Sequence, residues 1–209
     1  MRTTLYLIRH AATAANLMRP ARLQGRRTDP ELAPVGLRQA AATRDFLAVR
    51  PIDVCVCSPL KRAMQTAAIV AAPHGLTPTP IADMTECDVG DWDGLDWGTI
   101  REREPEAYRS YMADPATFAY PGGESFGQVH ARASAALERV LKDNVGKSVL
   151  AVSHHVVNRT ILAGLLGLPI KQARQVVLDN CGISIVSREG DTTTVLTLNA
   201  AFHLQGVAA

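Results

Sequence analysis

Short apolar runs alternate along this chain with longer helical patterns, and that alternation limits its architecture more than any other feature. The runs are residues 5–9 (LYLIR), 53–58 (DVCVCS), 148–153 (SVLAVS), 182–188 (GISIVSR) and 193–198 (TTVLTL). Helical patterns fall over residues 34–49, 60–72, 126–141 and 156–166, several of them bounded by proline or glycine. Strands joined by crossover helices build a largely parallel sheet, so a three-layer α/β/α sandwich is the expected fold. Gly190 and Asp191 between the last two strands point to a hairpin. The stretch 85–123 breaks the pattern, with tryptophans, tyrosines, acids, glycines and only short helical hints, and reads as an irregular lid.

Composition narrows the class. A chain of 209 residues, 47% hydrophobic and 20% charged, is long enough for one sizeable core, so residues 1–209 are expected to form a single domain. Its 22 Lys and Arg are scattered among 20 acids, without the basic stripe that nucleic-acid binding needs. Arg19, Arg22, Arg26 and Arg27 form one local basic group, readable as a solvated loop or as an entry funnel for an anion. Cys55, Cys57, Cys87 and Cys181 lack the spacing of a zinc site and, with no apolar leader, suit small core residues in a reducing, cytoplasmic compartment. No apolar run approaches the length needed to cross a bilayer. A symmetric homodimer is the commonest assembly of a soluble enzyme and the default here.

Three strand ends carry residues a core would reject: Arg9-His10, Ser58-Pro59-Leu60-Lys61-Arg62, and Ser153-His154-His155. The carboxyl ends of parallel strands share one edge of the sheet, where ligands settle, so these segments should converge. Paired guanidinium forks suit a phosphate, and the helix starts that follow add free backbone N–H groups. A histidine among such cations is pushed towards its neutral form, which is the nucleophilic one.

The segment Arg9-His10-Ala11-Ala12-Thr13-Ala14-Ala15-Asn16 resembles the R-H-G-x-T-x-x-N signature of the histidine phosphatase superfamily, whose fold is phosphoglycerate-mutase-like. The likeness continues through residues 32–40, 58–66, Glu86 with 90–94, 122–125 and 152–154, over nearly the entire chain. It implies that His10 attacks phosphorus and carries the phosphoryl group. Arg9, Arg62 and His154 would hold the oxygens, Asn16 would assist, and Glu86 would protonate the leaving alkoxide. The partner would be a small phosphomonoester, with no metal and no cofactor. Gln24 and Gly25 stand in the loop that leads to the family's pocket. The tail resembles that of metal-independent phosphoserine phosphatases, which implies a substrate contact for His203, with a frayed or surface terminus as the safer expectation.

Two positions depart from the pattern. Ala11 and His155 both stand where the family usually has glycine, and His155 would narrow the pocket rim or reach the substrate. Asp88, Asp91 and Asp93 compete with Glu86 for the role of acid, and Trp92 reads as lid packing. Hydrolysis stands ahead of isomerisation because the Arg-His-Tyr run of cofactor-dependent phosphoglycerate mutases is replaced here by Glu86-Cys87-Asp88-Val89-Gly90. A binding module with a decayed site is the rival from another class, and the intact residue set speaks against it.

Overall fold

Tyr6 and Ile8 face one side of the first strand while Leu5 and Leu7 face the other, and both sides are covered. In the computed structural model, which describes residues 1–207, that strand is β1 (Arg2–Arg9). It is followed by α1 (Ala14–Leu17), α2 (Pro34–Leu47), β2 (Val54–Cys57), α3 (Lys61–Ala71) and β3 (Thr79–Pro80). Next come α4 (Trp97–Arg103), α5 (Pro105–Ala113), α6 (Phe126–Asp143), β4 (Ser148–Ser153), α7 (His155–Leu165), β5 (Ile183–Glu189) and β6 (Thr192–Ala200). The sheet order is β3-β2-β4-β1-β5-β6. The first four are parallel, and β5 alone runs against its neighbours.

The expected three layers are present. Cys55, Cys57, Leu150 and Val152 join Tyr6 and Ile8 under α2 and α3, where Leu47, Ala67 and Val70 close over them. Val56, Val149 and Ala151 join Leu5 and Leu7 under α6 and α7, against Val129, Leu137, Val157 and Ile161. Each fully buried Leu, Ile or Val contributes about 1.5–3 kcal/mol, so burial on both faces holds the central strands in register. All four cysteines are free and buried. Among the described residues no helix is long and apolar enough to cross a membrane.

Two elements differ from expectation. Strand β3 was not anticipated, because two residues, one a proline, carry no periodic signal and belong at a sheet edge. The stretch 85–123 is more regular than its sequence implied, since it contains α4 and α5. Asp96 caps α4 by accepting from the Thr99 N–H, and Pro105 opens α5. Both helices sit on an aromatic cluster in which Trp92 lies edge-on to Tyr111 and Tyr120 at 5.6 and 5.7 Å, while the two tyrosine hydroxyls bond each other. Each helix has a single buried residue, Ile100 in α4 and Tyr111 in α5, which is too few to make a hydrophobic period.

Candidate active site

Strand register builds the site. Arg9 pairs with Ser153 across β1 and β4, and Cys57 pairs with Val152 across β2 and β4, so the three polar strand ends finish at the same level. The His10 N–H donates to the Ser153 carbonyl at 2.8 Å, and the Ser58 N–H donates to that of Val152 at 3.0 Å. His10 and His154 therefore emerge side by side, with ring centroids 5.2 Å apart. The loop after β1 is pinned where the α2 residue Gly36 meets it: a Cβ there would lie 2.0 Å from the Ala12 carbonyl oxygen. Ala11 needs no glycine, since its N–H is taken by Thr66 Oγ1 and its methyl packs with Ala40 and Cys181.

His10 is 3% exposed, and its Nδ1 lies 2.8 Å from the Ala11 carbonyl oxygen. A carbonyl only accepts, so Nδ1 carries the proton and the Nε2 lone pair is free. Burial, then Arg62, then Arg9 hold its pKa well below the usual 6.5, outweighing the Ala11 bond. His154 is fully buried and neutral for the same leading reason, with Arg62 and His10 adding to it. Its Nε2 lies 2.7 Å from Ser58 Oγ, which already accepts from the Leu60 N–H. With the serine proton directed at Nε2, the buried Nδ1, which has no partner, is the protonated nitrogen.

Arg62 is 0% exposed, and its two terminal nitrogens donate to the carbonyls of Thr28 and Gly25. Arg9 donates to the Leu178 carbonyl at 2.7 Å. Burial lowers the pKa of both, that of Arg9 to about 10, while Glu86 opposes the shift in each case. The Nε of each is buried without a hydrogen-bond partner. Unspent donors on two guanidinium groups and an imidazole are suited to an oxyanion, although Arg62 and His154 are wholly buried and only Arg9 of the three lines the cavity beside His10.

Glu86 Oε1 accepts from the Cys87 N–H at 2.9 Å and Oε2 from the Val156 N–H, in the first turn of α7, at 3.3 Å. Its backbone is fixed from α6, where Arg132 donates to the carbonyls of Asp83, Thr85 and Glu86 and pairs with Glu124 at 2.8 Å. Asp88 is bound by Arg26 and Arg27, Asp93 by the Gly25 and Thr28 N–H groups, and Asp91 faces solvent. Glu86 is therefore the carboxyl of this group that lines the cavity of about 330 Å³ beside His10.

Arg9, Asn16, Gln24 and His155 line the same cavity. Asn16 Oδ1 accepts from the Thr13 N–H at 3.0 Å, and the Thr13 hydroxyl, with one proton to give, lies 3.1 Å from both Asn16 Oδ1 and Gln24 Oε1. Gly25 does not line it and acts through its carbonyl on Arg62. His155 Nε2 accepts from Arg159 at 2.7 Å, so its proton is on Nδ1, and burial, then Arg9, then Arg159 push its pKa down to about 2. His203 is not brought to the cavity. Its Nε2 lies 3.0 Å from Thr43 Oγ1 and its ring stacks on Phe46, so the tail is docked on α2. The bend follows Asn199, at φ 50, just before the strand ends.

Sequence reading missed Trp97, Tyr120 and Asn180 as cavity walls. Asn180 donates to the His10 carbonyl at 2.8 Å, across 170 residues of chain, which no local pattern reveals. Arg22, one of the local basic group, also lines the cavity, while Arg26 and Arg27 tie the lid down.

Burial of neutral His10, His154 and His155 has a pH signature. Their folded pKa values lie below the unfolded value near 6.5, so below that pH the unfolded chain binds protons that the folded chain refuses. Each such group removes up to about 1.4 kcal/mol of stability per pH unit of acidification. Denaturant titrations at pH 7.5, 6 and 5 should show stability falling steadily. A constant value would mean that these imidazoles titrate in the fold as they do in the unfolded chain.

Fold and site together are those of an enzyme that handles phosphoryl groups. The family model of the histidine phosphatase superfamily (branch 1) matches residues 5–201, and the chain belongs to that superfamily and is a phosphatase. It is 32% identical over 200 residues to phosphoserine phosphatase 1 of Hydrogenobacter thermophilus, covering 96% of this chain and 93% of that one. Bacillus stearothermophilus YhfR superposes with a TM-score of 0.89 at 28% identity, over 97% of this chain and 99% of that one. A mutant phosphoserine phosphatase from Entamoeba histolytica, in complex with phosphoserine, superposes with a TM-score of 0.85 at 27% identity, over 97% and 99%.

Proposed function

We propose that this protein hydrolyses a small phosphorylated metabolite, phosphoserine or a related phospho-acid, through a phosphohistidine and without a metal ion. The observation that carries the reading is His10, held neutral with Nε2 free among Arg9, Arg62 and Glu86. In the first step a bond forms between Nε2 and phosphorus as the ester P–O bond breaks, and the Glu86 carboxyl gives its proton to the departing alkoxide. In the second, water attacks phosphorus, Glu86 takes a proton from it, and the P–N bond breaks to release phosphate and neutral His10. Arg9, Arg62 and the His154 Nδ1–H stabilise the charge on the phosphoryl oxygens, which is the work a divalent cation does at other phosphoryl-transfer sites.

The substrate class is supported by the size of the cavity and by the cations on its walls. Arg22, as a cation, and neutral His155, through its Nδ1–H, suit an anionic or oxygen-rich leaving group. The relatives' names point the same way. A panel of L-phosphoserine, the phosphoglycerates, sugar phosphates and an aryl phosphate, assayed with a chelator present, tests the reading. Phosphoserine or another phospho-acid should give the highest kcat/KM, unchanged by the chelator. Exchange of phosphoglycerate isomers outrunning phosphate release would make the protein a mutase, and phosphate binding without turnover would make it a binder.

A further inference from the structure

The loop 25–28 holds Arg62 by two carbonyls, and the same two residues are held from the opposite side by one carboxylate. Asp93 Oδ1 accepts from the Gly25 N–H at 3.2 Å, and Oδ2 accepts from the Thr28 N–H at 3.1 Å. Arg62 donates to the Gly25 carbonyl at 2.9 Å and to the Thr28 carbonyl at 3.1 Å. We infer that Asp93 is a positioning residue for Arg62, fixing the guanidinium for the phosphoryl group through the backbone of Gly25 and Thr28. This role rests on the phosphatase reading above and adds a residue to its machinery.

Three further features agree. Asp93 lies on the lid segment, and its chain is stitched to the loop by the Gly94 N–H to the Leu23 carbonyl at 2.9 Å and the Leu23 N–H to that of Leu95 at 2.8 Å. The loop also lies tight on the lid, where a Cβ at Gly25 would fall 2.7 Å from Val89 Cγ2 and 2.9 Å from the Cys87 carbonyl oxygen. Asp29, the other acid near Arg62, stands 3.7 Å from it and accepts from the Lys61 N–H, so it is a weaker anchor. Fixing an arginine side chain costs it rotamer freedom, and carbonyls can fix it only as firmly as their own loop is fixed. Asp93 supplies that firmness, and it ties the seating of the lid that carries Glu86 to the geometry of the phosphate cradle.

A double-mutant cycle distinguishes this role from general support of the loop. Binding of inorganic phosphate, measured by calorimetry, and kcat/KM for an aryl phosphate are compared in wild type, Asp93→Ala, Arg62→Ala and the double variant. Asp93→Ala is expected to weaken both by about 10- to 100-fold, as a small misplacement of a positioning group does. In the Arg62→Ala background the same change should cost under about twofold, because there is no guanidinium left to position. Asp93→Asn keeps one acceptor oxygen and should recover part of the loss, and it replaces the alanine in the cycle if that variant does not fold. Losses that multiply in the double variant overturn the inference while leaving the phosphatase reading intact. A wild type that neither turns over nor binds phosphate overturns both.

Discussion

His10→Ala is expected to lower turnover by at least about 10⁴-fold, the scale seen when a covalent nucleophile is removed, while phosphate binding persists. No neighbour can take over. The Nε2 of His154 is engaged with Ser58 and that of His155 accepts from Arg159, and His154, unlike His10, does not line the cavity. The cradle should survive, because the partners of Arg9 and Arg62 are backbone carbonyls that the substitution leaves in place. In wild type, rapid quenching during turnover should trap acid-labile, base-stable phosphate on His10. Phosphorus NMR should assign it to Nε2, since Nδ1 is spent on Ala11. Turnover within tenfold of wild type in His10→Ala would remove the nucleophile from this residue.

Glu86→Gln carries the second large effect, and its size should depend on the leaving group. The amide can still accept one of the two N–H groups that hold the carboxylate, those of Cys87 and Val156, but it has no proton to give. An alkoxide such as that of serine needs that proton in the transition state, so its release should slow by about 10²- to 10⁴-fold. An aryl oxide leaves without it. With an aryl phosphate the first burst of product should therefore survive, while the phosphohistidine, deprived of its general base, accumulates. Rapid-mixing measurements of the burst and of the slower steady state separate the two steps. Equal losses in the burst with alkyl and aryl substrates would assign the proton to another carboxyl.

The extent to which the site could be read in advance follows from where its parts lie in the chain. Arg9-His10, Ser58 to Arg62 and Ser153-His154 each interrupt a hydrophobic pattern at the end of a strand, and charged groups in such places stand out without any structure. Glu86 had three acidic competitors within the same short stretch. Only the contacts that occupy Asp88 and Asp93, and the exposure of Asp91, set it apart. For His203 the sequence left a substrate contact and a surface terminus open, because likeness of a tail says nothing about where its last turn docks, and here Thr43 and Phe46 offer the imidazole a hydrogen bond and a stacking surface on α2.

What the sequence determined alone is the main strands and helices of the sandwich, without β3, α4 and α5, and the chemistry at three strand ends, because hydrophobic period and residue type are local properties of the chain. The tertiary structure decided which atoms of those residues remain available. Nδ1 of His10 is consumed by a carbonyl, Nε2 of His154 by a serine, and two of the donors on Arg62 by a loop that Asp93 holds from the lid. Burial then removes the charge from the histidines, and burial depends on every layer packed around the sheet edge. Apart from the bond between the neighbours His10 and Ala11, these are relations between residues tens of positions apart or more, fixed only when the strands align.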